Sequence, residues 1–182
     1  MSNSISILNI IHDTTVDGSG FRTAIYAAGC KHRCPGCHNP QSWNIDNGIL
    51  YSINNLLEIV KASEFANVTF TGGDPFMQVE GFTELARRIK AETKKNIWCY
   101  TGFLYEQIVH SIKLSSILPF IDVLVDGQYI AVLRDEDLQF RGSKNQRLID
   151  VPQSIKTDKI TLWDNEYCAE LPYYIHSDCN QN

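Results

Sequence analysis

From Tyr51 onward the apolar residues switch repeatedly between a period of two and a period of about 3.6, which restricts the chain to alternating strands and helices. Ile53, Leu56, Leu57 and Val60 stand at i, i+3, i+4 and i+7 behind Ser52, a suitable N-cap, and predict one amphipathic helix. Phe82, Leu85, Ala86 and Ile89 repeat that spacing, and Leu104, Ile108 and Ile112 predict a third helix ending near Ser115 and Ser116, before Pro119. Between them, residues 67–70, 96–100 and 120–125 are apolar runs too short for helices. Their β-branched and aromatic content suits buried parallel strands, and residues 22–28 supply the matching first strand.

In parallel β/α sheets and barrels, functional groups gather in the loops that leave the C-terminal ends of the strands. Those exits here are Gly29-Cys30, Thr71-Gly-Gly-Asp-Pro75, Thr101-Gly102 and Asp126-Gly127. Four exits on one mouth predict one site. Four units are too few to close an eight-stranded barrel, so the expected fold is α/β, an open or partial parallel β/α barrel. Beyond Tyr129 come a charged loop at 134–137, a polar stretch at 141–147 and two strand candidates at 148–151 and 159–163. The expected division is a single domain over residues 1–163 and a polar, acidic tail over 164–182.

A chain of 182 residues can bury roughly 70% of the surface it exposes when unfolded, enough to fold without a metal. A formal charge of -5 argues against nucleic acid as a partner, since that role needs a basic face for the phosphates. The N-terminus lacks the basic start and apolar run of a secretory signal, and no apolar stretch approaches a membrane span. The expectation is a cytoplasmic protein with no membrane partner, its six cysteines being thiols or metal ligands.

Cys30, Cys34 and Cys37 form a C-x-x-x-C-x-x-C triplet directly after the first strand, with Gly36 allowing a tight wrap. Three thiolates this close can converge on one metal centre. A four-iron cubane held by three cysteines keeps one iron open to substrate, whereas electron-transfer clusters are closed by a fourth. The competing reading is a Cys3His zinc site completed by His32 or His38. Zinc sites usually take a second ligand pair from elsewhere, and Cys99, Cys168 and Cys179 offer no second C-x-x-C, so the spacing favours iron-sulfur. Cys99 reads as a buried hydrophobe, Cys168 and Cys179 as incidental tail thiols, and His12, His110 and His176 as ordinary residues. Gly72 and Gly73 let backbone approach a ligand without a Cβ in the way. Arg141 to Arg147 suits either a solvated loop or a surface that docks an acidic or phosphate-bearing partner. No Ser-His-Asp set, P-loop or paired carboxylates accompany these residues, so acid-base hydrolysis has little support.

Together these residues resemble the radical S-adenosylmethionine superfamily. The run of Asp17-Gly-Ser-Gly-Phe-Arg-Thr23, Cys34-Pro-Gly-Cys-His-Asn39 with Trp43, Thr71-Gly-Gly-Asp-Pro75, Tyr100-Thr-Gly-Phe103, Asp122-Val-Leu-Val-Asp-Gly127 and Arg141-Gly-Ser-Lys-Asn-Gln146 is similar to the anaerobic ribonucleoside-triphosphate reductase activating proteins. The resemblance covers residues 16–151; it departs at Ser19, where that family usually has proline, and in the tail beyond Trp163. It implies that Cys30, Cys34 and Cys37 hold a 4Fe-4S cluster whose open iron chelates S-adenosylmethionine. It further implies that Gly72, Gly73 and Asp74 contact the methionine amino end and that Gly36, Cys37 and His38 lie along the nucleoside. The implied reaction is reductive cleavage to methionine and a 5′-deoxyadenosyl radical, with the electron from flavodoxin or a similar low-potential donor. That radical would take hydrogen from a glycine Cα on the reductase large subunit, with no catalytic side-chain acid or base. Runner-up expectations are activation of another glycyl-radical enzyme such as pyruvate formate-lyase, a reaction like 7-carboxy-7-deazaguanine synthesis, and a non-catalytic zinc module.

Overall fold

A computed structural model of the chain describes residues 4–163. It is a mixed α/β fold built on one seven-stranded sheet of order β3-β1-β2-β4-β5-β6-β7. The strands are β1 (Ser4–Thr14), β2 (Arg22–Ala27), β3 (Ile49–Ser52), β4 (Asn67–Gly72), β5 (Ile97–Tyr100), β6 (Val123–Asp126) and β7 (Arg147–Asp150). The middle of the sheet, β2-β4-β5-β6, is parallel and comprises the four strands expected from the sequence. Antiparallel strands extend it on both sides, β1 and β3 beyond β2 and β7 beyond β6, and β3 and β7 are the outermost strands.

The helices cover one face. α1 (Ile53–Ala62) starts where the Ser52 hydroxyl accepts from the Asn55 N–H, and buries Ile53, Leu56, Leu57 and Val60. α2 (Val79–Glu92) buries Phe82, Leu85, Ala86 and Ile89, the same residues whose spacing predicts it. These pack on Ile5, Ile7, Ile25, Val68, Phe70, Ile97, Cys99 and Leu124 from the sheet. Each Val, Ile, Leu or Phe among them contributes about 1.5 to 3 kcal/mol on full burial. Cys99 is fully buried in this core, as a small hydrophobe is expected to be.

Three local expectations differ from the structure. The third helix is two short ones, α3 (Tyr105–Val109) and α4 (Ile112–Ser115), because Ser111 is extended and its hydroxyl caps a new start by accepting from the Leu114 N–H. Ile112 consequently lies 94% exposed instead of facing the core. Residues 159–163 form only an isolated bridge, Leu162 to Ile149, after α5 (Val151–Thr157). β1 and β3 add two strands before the first helix, with β1 carrying the alternation that buries Ile5 and Ile7. The expected tail, residues 164–182, lies outside the described residues.

On the other face, Trp98, Val123, Val125 and Leu148 pack with Tyr100, Phe140 and Trp163. The Asp17-to-Arg22 loop closes this face over β2 and β4. Arg22, 1% exposed, donates from Nε to Thr69 Oγ1 at 2.6 Å and from Nη2 to the Val68 carbonyl at 2.6 Å, with its guanidinium 5.1 Å from the Trp98 ring centroid. Burial lowers its pKa to about 10, so it remains a cation at neutral pH. The Ser19 carbonyl accepts from Arg22 Nη1 at 2.9 Å, a backbone contact that proline at that position would also supply. Among the described residues no helix is long and apolar enough to cross a membrane.

Candidate metal centre

The cysteine loop leaves β2 and is pinned at its base by backbone. Gly29 N–H donates to the Ser42 carbonyl at 2.7 Å and Cys30 N–H to the Trp43 carbonyl at 3.1 Å. Left-handed backbone at Gly29 (φ 92°), Arg33 (φ 48°) and Gly36 (φ 75°) curls the segment between. The Thr71-to-Pro75 exit locks onto it, with Gly73 N–H donating to the Ala27 carbonyl at 2.8 Å and Asp74 N–H to the Gly29 carbonyl at 2.9 Å. The approach is so close that a Cβ on Gly73 would stand 2.6 Å from the Gly29 carbonyl oxygen.

Cys30, Cys34 and Cys37 are free thiols, each half-buried. Burial pushes the Cys30 thiol up, against the pull of the His32 and Arg33 N–H groups, and burial pushes Cys34 up against the Tyr129 N–H. Asn39 N–H donates to Cys37 Sγ at 3.4 Å. Such N–H groups stabilise sulfur once it carries charge, and metal loading would release the thiol protons. Among the described residues no three His, Cys, Asp or Glu groups are gathered tightly enough to hold a single ion. Three half-buried thiols on one curled loop are a donor set that suits an iron-sulfur cluster with one iron left open.

The other expected residues surround this loop. Gly72 takes φ 98° at the end of β4. Asp74 is fully buried, and its carboxylate is engaged: Oδ1 accepts from the Phe76 N–H at 2.9 Å, while Oδ2 faces His32 Nε2 at 2.8 Å, Thr101 Oγ1 at 3.0 Å and the Gly102 N–H at 3.1 Å. His38 is exposed and tilts against Tyr129 at 5.1 Å between ring centroids. His38 also lines a cleft of about 400 Å³ with Asp17, Tyr100, Arg134, Glu136, Phe140 and Arg141. A second hollow, of about 450 Å³, is lined by Asn96, Asp122, Asp150 and Lys156 near the opposite ends of the parallel strands, away from the thiols.

At the β6 exit, Asp126 is fully buried and accepts from the Tyr105 N–H at 2.8 Å and from Arg147 Nε at 3.0 Å. Arg147 also reaches Glu106 at 2.8 Å, and this bond holds the Glu106 carboxyl below its ordinary range. Asp126 is thus occupied in tying β6 to β7 and α3. The sequence reading gave no part to Gln128 and considered His32 only as a zinc ligand; the signal available for His32 was its position between two cysteines.

A family profile described as a 4Fe-4S single cluster domain matches residues 16–149. The anaerobic ribonucleoside-triphosphate reductase-activating protein of Enterobacteria phage T4 is 37% identical, over 73% of this chain and 86% of its own length. Those of Haemophilus influenzae and Escherichia coli K12 are 34% and 33% identical, each over 72% of this chain and over 88% and 89% of their own lengths. The chain belongs to this family of activating proteins. The profile runs from the loop that covers Arg22 into β7, so it takes in the cysteine loop and all four strand exits. Its description supports an iron-sulfur cluster as the resident group, in agreement with the reading from cysteine spacing.

Proposed function

We propose that this chain activates anaerobic ribonucleoside-triphosphate reductase by generating a glycyl radical on its large subunit, as a radical S-adenosylmethionine enzyme with an incomplete β/α barrel over residues 1–163. The observation that carries the proposal is the joining of the Gly72-Gly73 exit to the end of β2 and the start of the three-thiol loop, through the Ala27 and Gly29 carbonyls, in a chain of this family. A 4Fe-4S cluster held by Cys30, Cys34 and Cys37 would supply an electron and an open iron for the reductive cleavage of S-adenosylmethionine.

Cys30, Cys34 and Cys37 ligate the cluster. Gly72 and Gly73 present backbone to the methionine end of the cofactor, and Asp74, its carboxylate fully engaged, fixes that backbone in place. Gly36, Cys37 and His38 lie along the nucleoside side, next to the cleft. The open sheet leaves room for a protein segment carrying the target glycine. Flavodoxin or a similar carrier in the cytoplasm supplies the electron.

The test is anaerobic reconstitution with iron and sulfide, metal quantification, and assay for 5′-deoxyadenosine and for a glycyl radical on added reductase. Cys34→Ala is expected to abolish both products while changing stability by less than about 1 kcal/mol, since the thiol is half-buried in a loop. Cleavage at the unmutated rate in Cys34→Ala would remove the cluster assignment. Zinc in place of iron, with no cleavage, would leave the triplet as a structural metal site.

A further inference from the structure

His32 lies in the middle of the cysteine loop, yet its ring belongs to three other strand exits. Nε2 is 2.8 Å from Asp74 Oδ2 at the exit of β4, and Nδ1 is 3.2 Å from the Gln128 amide beyond β6. The ring also meets Phe103 edge-on, with centroids 4.7 Å apart, and lies so close to Gly102 that a Cβ there would stand 2.5 Å from its Cδ2. The side chains of His32 and Asp74 are 10% and 1% exposed. A carboxylate only accepts hydrogen bonds, so Nε2 donates to Asp74, and Nδ1 faces the Gln128 amide. Asp74 is held independently by Thr101 Oγ1 and by the N–H groups of Gly102 and Phe76, which makes it a fixed anchor for a ring arriving from a loop.

We propose that His32 is a positioning residue that latches the cysteine loop to the exits of β4 and β5 in the metal-free chain, so that Cys30, Cys34 and Cys37 are arranged before a cluster binds. The loop backbone is pinned at its base through Gly29 and Cys30, and the His32 ring pins it between Cys30 and Cys34. The arrangement matters because a ligand loop ordered in advance gives up less conformational entropy when metal arrives. Only the use made of the three thiols rests on the proposed function; the latch itself rests on contacts among side chains of the chain.

The experiment is alkylation of the metal-free, full-length protein, with the rate at each cysteine read by peptide mass spectrometry. In His32→Ala the three loop thiols are expected to react about five-fold faster, the scale of one lost hydrogen bond, while buried Cys99 stays protected and reports an intact fold. His32→Gln keeps an N–H donor of similar reach and is expected to restore most of the protection. Gly102→Ala is expected to mimic His32→Ala by displacing the ring, since Gly102 has no left-handed φ to strain. Loop rates in His32→Ala equal to those of the unmutated chain, with Cys99 protected, would overturn the proposal, as would His32→Gln reacting as fast as His32→Ala. If His32→Ala also uncovers Cys99, Gly102→Ala decides by the same criterion. A chain that loads iron normally but shows no alkylation change in His32→Ala keeps the cluster and loses the latch. The predicted alkylation pattern in a chain that binds only zinc keeps the latch and loses the cluster.

Discussion

Tyr26 and Tyr100 show how the face opposite the helices is kept closed by single side chains. The Tyr26 hydroxyl donates to the Asp17 carboxylate at 3.0 Å, and the Tyr100 hydroxyl donates to the Phe140 carbonyl at 2.8 Å. Burial raises both phenols above their ordinary value, and at Tyr26 the Asp17 charge adds to the effect. A phenol raised in the folded state favours folding fully below the unfolded pKa of about 10, where both states are protonated. That contribution is lost as pH rises through and beyond this value, because the unfolded chain ionises first. The expected outcome is that these two phenols stay protonated above about pH 10 while the chain remains folded, and ionise together with unfolding. Phenolate absorbance followed alongside circular dichroism on an alkaline titration checks this. Early ionisation of every tyrosine, with the fold intact, would contradict the packing of Tyr26 and Tyr100.

Among the elements, the parallel strands and the two long helices were legible because each carries its own period. Ile53, Leu56, Leu57 and Val60 need no tertiary knowledge to define a buried stripe, and all four are buried on α1. The break between α3 and α4 was hidden because Leu104, Ile108 and Ile112 keep a helical spacing across Ser111, whose side-chain cap acts against the apolar pattern. The cysteine triplet and the Gly-Gly exit could be read as one site, but the engagement of the Asp74 carboxylate could not. Its partners His32, Thr101 and Gly102 lie far from it in sequence and meet only through the sheet order. Gly73 shows how tightly the β2 and β4 exits are joined. A Cβ there would meet two backbone oxygens, Gly29 O at 2.6 Å and Ser42 O at 3.0 Å, neither of which can swing aside as a side chain could. Gly73→Ala is therefore expected to push the cysteine loop off β4, costing about 1 to 3 kcal/mol, the usual scale of overpacking. It should lower cofactor cleavage more than iron content. Denaturant melts with deoxyadenosine assays check both, and unaltered stability and cleavage would show that the two exits are not in the contact described.

At the scale of the whole molecule, the proposed function needs a place where a segment of the reductase can enter, and the cleft lined by His38 is the candidate. The cleft beside His38 has Asp17 and Glu136 along with Arg134 and Arg141, so it can meet a polypeptide backbone and charges of either sign. Arg141 is tied to its own loop by Nη1, which donates to the Gln146 carbonyl at 3.2 Å, while its Nε is buried without a hydrogen-bond partner. A desolvated donor with no acceptor costs stability. If the reductase segment enters here, Arg141→Ala should reduce glycyl-radical formation roughly ten-fold, the equivalent of one modest interface contact. Cofactor cleavage without reductase should change less than about two-fold, well below one hydrogen bond's worth, because Arg141 belongs to neither the cysteine loop nor the β4 exit. The two rates are measured on one preparation, by electron paramagnetic resonance of the reductase and by deoxyadenosine release in its absence. Equal loss of both would make Arg141 a support of the cofactor site, and the cleft would no longer be the route by which the substrate segment enters.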